Sequence, residues 1–324
     1  KFKKKSQKDV DEIVKAMADE AYKASDRLAK MATEETGFGV YEDKIIKNKF
    51  ASRAVYEYIK DMKTIGIINE DTENKILEIA TPVGVIAGLI PSTNPTSTTI
   101  YKALIAIKSG NAIVYSPHPS AVNCITEAVR ILEEKATELG APEGLISCMS
   151  IPTMEGTDAL MKHKDISLIL ATGGSTMVKA AYSSGTPALG VGPGNVPAYI
   201  ERSAEIPLAV KRIMDSKTFD NGTICASEQA VVTEKRIKNK VKTEFVKQGA
   251  YFLGGDELNK VARTIQNEEG RFNSRIAGRS AIKIAEMADI KVPSDTRVLI
   301  AEQVNVGKQY PFSREKLSPI LAFY

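Results

Sequence analysis

Four times between residues 83 and 184 an apolar, β-type run gives way to a turn and then to a helical stretch, and this rhythm restricts the fold more than any other feature. The runs lie at 83–90, 112–115, 145–150 and 166–170; the helical stretches at about 96–110, 120–139, 156–163 and 175–184. Successive βα units demand right-handed crossovers, hence a parallel sheet with helices on both faces. In such sheets ligands bind beyond the carboxyl ends of the strands, which singles out the loops 91–95, 116–119 and 171–175.

Upstream, residues 8–35 carry Val10, Ile13, Val14, Met17 and Ala21 at helical spacing, and a second helix is expected over 43–61. Downstream, a helix at about 204–217 leads into a polar loop ending at Cys225, then a strand at 229–232 and a helix from 234. With 324 residues there is room for two α/β domains, placed at 1–202 and 203–324. The longest uncharged stretches, 79–101 and 180–200, are interrupted by Pro82, Pro91 and Pro95 and by Gly185, Pro187, Gly190, Gly192, Pro193, Gly194 and Pro197, so neither reads as a membrane span. Lys and Arg number 44 against 40 Asp and Glu and are dispersed, which argues against a nucleic-acid or membrane partner. Three cysteines without a secretion signal point to a reducing, cytoplasmic setting, and two histidines without a Cys-x-x-Cys pair give no metal site.

Cys225 follows Asn221-Gly222-Thr223 on a loop and is either a nucleophile or a structural thiol; Cys124 and Cys148 lie in apolar periodic segments and read as small buried hydrophobes. Asn94, between Thr93 and Pro95, is either a turn residue or an amide donor to an oxyanion. Thr172-Gly173-Gly174-Ser175 joins the fourth strand to a helix, where glycines let a pyrophosphate approach the backbone N–H groups. Gly190-Val191-Gly192-Pro193-Gly194 lacks the following helix of a dinucleotide fingerprint, and no phosphate-loop lysine is present.

Taken together, Pro82–Val85, Ile90–Ser97, Tyr115-Ser116-Pro117-His118-Pro119, Leu170–Gly174, Gly192–Asn195, Ser216–Cys225 and Glu315-Lys316-Leu317-Ser318-Pro319 resemble the CoA-acylating aldehyde dehydrogenases, above all the aldehyde dehydrogenase half of bifunctional aldehyde-alcohol dehydrogenases. The resemblance covers nearly the whole chain in order. It implies an aldehyde dehydrogenase-like fold, with a Rossmann-type parallel-sheet cofactor domain and a second α/β catalytic domain. By matching position it makes Cys225 the nucleophile and Asn94 the oxyanion donor. It assigns Thr172, Gly173, Gly174 and Gly192 to NAD binding, Ser116, Pro117, His118 and Pro119 to the loop beside the adenosine ribose, and Glu315 to the nicotinamide ribose.

The implied reaction interconverts a short aldehyde and its acyl-CoA, foremost acetaldehyde and acetyl-CoA, with NAD and coenzyme A through a cysteine thioester. Hydrolytic members carry Glu-Leu-Gly-Gly-Lys where this chain has Val191-Gly192-Pro193-Gly194-Asn195, so the water-activating glutamate is missing. The rival readings are a non-acylating enzyme releasing a carboxylic acid and a non-catalytic scaffold domain. Ser116 stands in place of the family's lysine beside the adenosine ribose, which leaves NAD against NADP open, and acyl-chain preference is not legible. The segment at about 64–82 resembles the hairpin through which these enzymes oligomerise, so a homo-oligomer is expected. The chain ending at Tyr324 suggests a catalytic domain that continues, with a fused iron-type alcohol dehydrogenase domain as a further expectation.

Overall fold

Val85-Ile86-Ala87-Gly88-Leu89-Ile90 is apolar without alternation, as a strand covered on both faces must be, and it sits at the centre of a five-stranded sheet. The structure is a computed structural model that describes residues 1–267 and 270–324. The strands in chain order are β1 (Gly66–Asp71), β2 (Ile76–Ala80), β3 (Val85–Ile90), β4 (Ala112–Pro117), β5 (Ile146–Cys148), β6 (Ile166–Thr172) and β7 (Ala188–Val191). They continue with β8 (Val196–Ile200), β9 (Glu228–Thr233), β10 (Ala250–Phe252), β11 (Val298–Glu302) and β12 (Ile320–Phe323).

The chain divides into two compact units, residues 1–36 with 44–192, and residues 37–43 with 193–324. In the first, the sheet order is β5-β4-β3-β6-β7, all parallel, so the chain moves outward from β3 to β5 and then returns to lay β6 and β7 on the other side. Helices Gln7–Lys23, Pro95–Lys108 and Val122–Glu138 share one core with Ile86, Ile90, Ile113 and Tyr115. A second core, built on Ala87, Leu89, Ile169 and Ala171, takes Met161 and Ala181 from helices Met154–Met161 and Ser175–Tyr182. All four expected βα units are present. β1 and β2 form an antiparallel hairpin at 66–80 whose Ile67, Ile68, Ile76, Leu77 and Ile79 are exposed.

In the second unit the order is β10-β11-β12-β9-β8, again parallel throughout. Its cores lie on either side of that sheet, one around Val231, Val241 and Phe245, the other around Val261, Ile276 and Leu299.

Three expectations need correction. The division falls between Gly192 and Pro193 and not at 202, because Val196–Ile200 hydrogen-bonds along β9 and so belongs to the second sheet. Residues 37–43 likewise group with the second unit and not the first. The helix expected over 8–35 is two, Gln7–Lys23 and Ser25–Thr36, separated at Ala24; the Ser25 hydroxyl donates back to the carbonyl of Ala21 at 3.1 Å, a bond that competes with the helical ladder. Among the described residues no helix is long and apolar enough to cross a membrane, and no group of three or more His, Cys, Asp or Glu is placed to hold a metal.

Candidate active site

In the first unit the strand ends are level: Ile90 pairs with Pro117, Leu89 with Ala171 and Thr172 with Val191. The residues that follow them, Asn94, His118, Gly173 and Gly192, therefore leave the sheet at one edge. That edge is the carboxyl end on both sides of the β3/β6 switch point, where nucleotide ligands bind in open α/β sheets. Pro95 starts the helix Pro95–Lys108, its fixed φ suiting the first helical position, and this sets Asn94 at the N-cap. The Asn94 side chain does not cap that helix. Its Oδ1 accepts from Lys47 Nζ at 2.7 Å, which makes the NH2 group the amide's donor, and Nδ2 donates to Thr93 Oγ1 at 3.4 Å. Lys44 Nζ holds the Thr93 carbonyl at 3.1 Å.

The dinucleotide elements fit the group they are expected to hold. Helix Ser175–Tyr182 begins after Gly174 with no side chain capping it, and a Cβ built on Gly174 would meet nothing within 4 Å. Its first N–H groups thus face open space, as an anion site at a helix N-terminus requires. His118 Nδ1 accepts from the Ser120 N–H at 3.2 Å and contacts its hydroxyl at 2.8 Å. Ser116 Oγ is buried against Thr157 Oγ1 at 2.7 Å, so this hydroxyl is committed inward while His118 and Pro119 are exposed. Val191 ends β7 and is exposed.

Gly194, Cys225 and Glu315 come together in the second unit. Each lies shortly before one of three adjacent parallel strands, β8, β9 and β12, and so emerges at the amino edge of that sheet. The Gly194 N–H donates to Glu315 Oε1 at 3.0 Å, and Asn195 Nδ2 donates to the Ser313 carbonyl at 2.8 Å. A Cβ on Gly194 would lie 2.0 Å from the carbonyl oxygen of Cys225, so only glycine allows this approach. Burial raises the pKa of the Glu315 carboxyl, opposed by the Gly194 N–H and by Lys217 and Lys316. The thiol of Cys225 is exposed, whereas Cys124 is buried and Cys148 half-buried.

The loop that carries the thiol is braced from below. Asp220 and Asn221 both adopt φ 50°, and Asp220 is fully buried. Its Oδ1 accepts from the Val40 N–H at 2.7 Å, its Oδ2 from the Thr223 hydroxyl at 2.6 Å, and its own N–H donates to Asp43 at 2.6 Å. Gly39, at φ +81°, passes so close that a Cβ there would meet Asp220 Oδ1 at 1.9 Å. Asn221 Nδ2 holds the carbonyl of Gly278 at 3.0 Å.

Sequence reasoning named Cys225, Asn94 and Glu315 but missed Lys47, the 37–43 loop, and the buried lysines Lys102, Lys217 and Lys316. Lys102 bridges the carbonyls of Leu89 in β3 and Leu170 in β6 at 2.9 and 2.8 Å, and burial pushes its ammonium down to about 7. A signal was present for two of them. Lys102 falls on the face shared by Thr99 and Ala106, and Lys217 on the face of Val210, Ile213 and Met214, each a charge where the helical period calls for an apolar residue.

Residues 1–290 match the model of the "Aldehyde dehydrogenase family". An aldehyde-alcohol dehydrogenase of Clostridium acetobutylicum is 51% identical over 324 residues, covering all of this chain and 37% of that protein. This chain thus spans a little over a third of that relative's length. Among solved structures, an acetylating aldehyde dehydrogenase from Geobacillus thermoglucosidasius is 59% identical with a TM-score of 0.97, over 100% of this chain and 71% of that one. A Rhodopseudomonas palustris propionaldehyde dehydrogenase with bound propionyl-CoA is 30% identical with a TM-score of 0.87, over 99% and 71% of the two chains.

Proposed function

Because the chain belongs to the aldehyde dehydrogenase family, we propose that it is an NAD-dependent acylating enzyme that interconverts a short aldehyde, foremost acetaldehyde, and its acyl-CoA. The observation that supports this most is the place of Cys225, whose thiol is exposed and whose backbone carbonyl lies against Gly194, the residue that also hydrogen-bonds Glu315. The Cys225 sulfur forms a bond to the aldehyde carbon, and the carbonyl electron pair moves to oxygen. Asn94 Nδ2–H donates to that oxyanion, its amide oriented by Lys47. When bound, NAD would supply the acceptor for the hydride that leaves the adduct carbon, and the acyl group would remain on Cys225 as a thioester. The Thr172–Gly174 turn and Gly192 would receive its pyrophosphate, the Ser116–Pro119 loop would lie beside its adenosine ribose, and Glu315 would accept from its nicotinamide ribose. Cys225 is the leaving group when the thiol of CoA takes the acyl carbon.

Val191 stands where hydrolytic relatives carry the general base, so no side chain there draws a proton from water and the thioester persists for CoA. The experiment that tests the reading follows NADH formation from acetaldehyde and NAD, with and without CoA. CoA-dependent turnover to acetyl-CoA is expected; acetate released at an equal rate without CoA would establish the hydrolytic alternative. Asn94→Ala is expected to lower kcat by about 100–1000-fold with little change in NAD affinity, measured by steady-state kinetics and calorimetry. The same reading makes the chain the cytoplasmic aldehyde dehydrogenase portion of a fused protein with an iron-type alcohol dehydrogenase domain. It assembles into homo-oligomers through the exposed isoleucines of the β1–β2 hairpin.

A further inference from the structure

Lys217 and Lys316 are both fully buried in the second unit, and they are not equivalent. Lys316 Nζ is saturated by three carbonyl oxygens, those of Gln229 at 3.1 Å, Phe312 at 2.7 Å and Arg314 at 2.7 Å. Lys217 Nζ, in the last turn of helix Ile206–Thr218, has one hydrogen bond among the described residues, to Gln229 Oε1 at 3.2 Å. That oxygen also accepts from the backbone N–H of Lys316 at 3.1 Å. Gln229 therefore couples Lys217 to the segment that starts with Glu315.

An ammonium buried with one neutral acceptor keeps its charge only if carboxylates face it. The charged groups that act on Lys217 are the carboxylates of Glu228 and Glu315 and the ammonium of Lys316. Asp215 pairs with both Lys211 and Arg297 at the solvent side of the helix. Glu315 is held at Oε1 by the Gly194 N–H, so one side of its carboxylate is already anchored.

We propose that Lys217 is a positioning residue that keeps the Glu315 carboxylate in its charged, hydrogen-bond-accepting form for a ribose hydroxyl. The part that concerns the ribose rests on the role given to Glu315 above; the coupling between Lys217 and Glu315 does not. The pH window follows from the two groups. Burial pushes Lys217 down to about 7 and raises Glu315. Between the raised carboxyl pKa and about 7 both are charged and attract; above it Lys217 is neutral and the attraction is lost.

The test is a double-mutant cycle of Lys217→Met and Glu315→Gln, read as Tm by scanning calorimetry and as NAD affinity by titration calorimetry from pH 5.5 to 8.5. A favourable coupling in Tm at pH 6 that vanishes by pH 8.5 is expected. K217M is expected to weaken NAD binding about tenfold at pH 6 and hardly at all at pH 8.5, as the acid limb of binding moves upward. K217R, which keeps the charge, leaves the limb in place, and K217Q serves as second variant if the methionine protein does not fold. A pH-independent effect, or a coupling that Glu228→Gln removes and E315Q does not, overturns the proposal. If the Tm coupling appears but E315Q leaves NAD affinity unchanged, the ribose role of Glu315 fails while the Lys217–Glu315 coupling stands.

Discussion

Cys225→Ala is expected to abolish CoA-dependent NADH formation, a loss of about 10⁴–10⁶-fold in kcat, with Tm and NAD affinity close to those of the native protein. On the proposed mechanism the size follows from removing the one atom that bonds to the substrate: without sulfur there is no acyl carrier, and the remaining donors have nothing to stabilise. The small effect on folding follows from exposure, since the side chain contributes little buried area. The thiol can be counted independently. Burial pushes Cys148 up to about 11 and raises Cys124 further, so iodoacetamide near pH 8 should give one adduct, at Cys225, and inactivate in proportion. Native turnover in the alanine variant would overturn Cys225 as the nucleophile.

Gly194→Ala is expected to cut kcat/KM by about 100-fold, because the new methyl group must displace backbone and a shift of about 1 Å at a reacting group costs that much. The added carbon would sit 2.0 Å from the Cys225 carbonyl oxygen and 3.0 Å from its carbonyl carbon. Neither atom is the end of a flexible side chain, so relief comes only by moving the thiol loop or breaking the 3.0 Å bond from the Gly194 N–H to Glu315. Overpacking of this kind typically costs about 1–3 kcal/mol, enough to lower Tm without unfolding the chain. The diagnostic is the iodoacetamide rate: displacement of the loop changes it, whereas a purely global destabilisation leaves it near native below the melting transition.

The fold was legible wherever one period ran long enough. The four βα units of the first sheet declare themselves as apolar runs of strand length followed by amphipathic helices, whereas the hairpin at 66–80 was expected from the family resemblance. The domain boundary was not. Val196–Ile200 reads equally well as the tail of one sheet or the edge of another, and only pairing with β9, more than 25 residues ahead, decides it. At the candidate site, residue types singled out a loop cysteine and an asparagine after a strand. The supports were hidden because they are backbone approaches and long-range hydrogen bonds: nothing near Asp220 announces that its carboxylate is received by Val40, 180 positions earlier.

That last bond has a temporal meaning. A ribosome adding about 5–20 residues per second emits Val40 roughly 10–35 seconds before Asp220. Over that interval the early loop waits without its acceptor, and Gly278, whose carbonyl receives the Gly39 N–H at 3.1 Å, arrives later still. The seat of the Cys225 loop is thus completed only once distant portions of the polypeptide have met, which makes it one of the last features to mature.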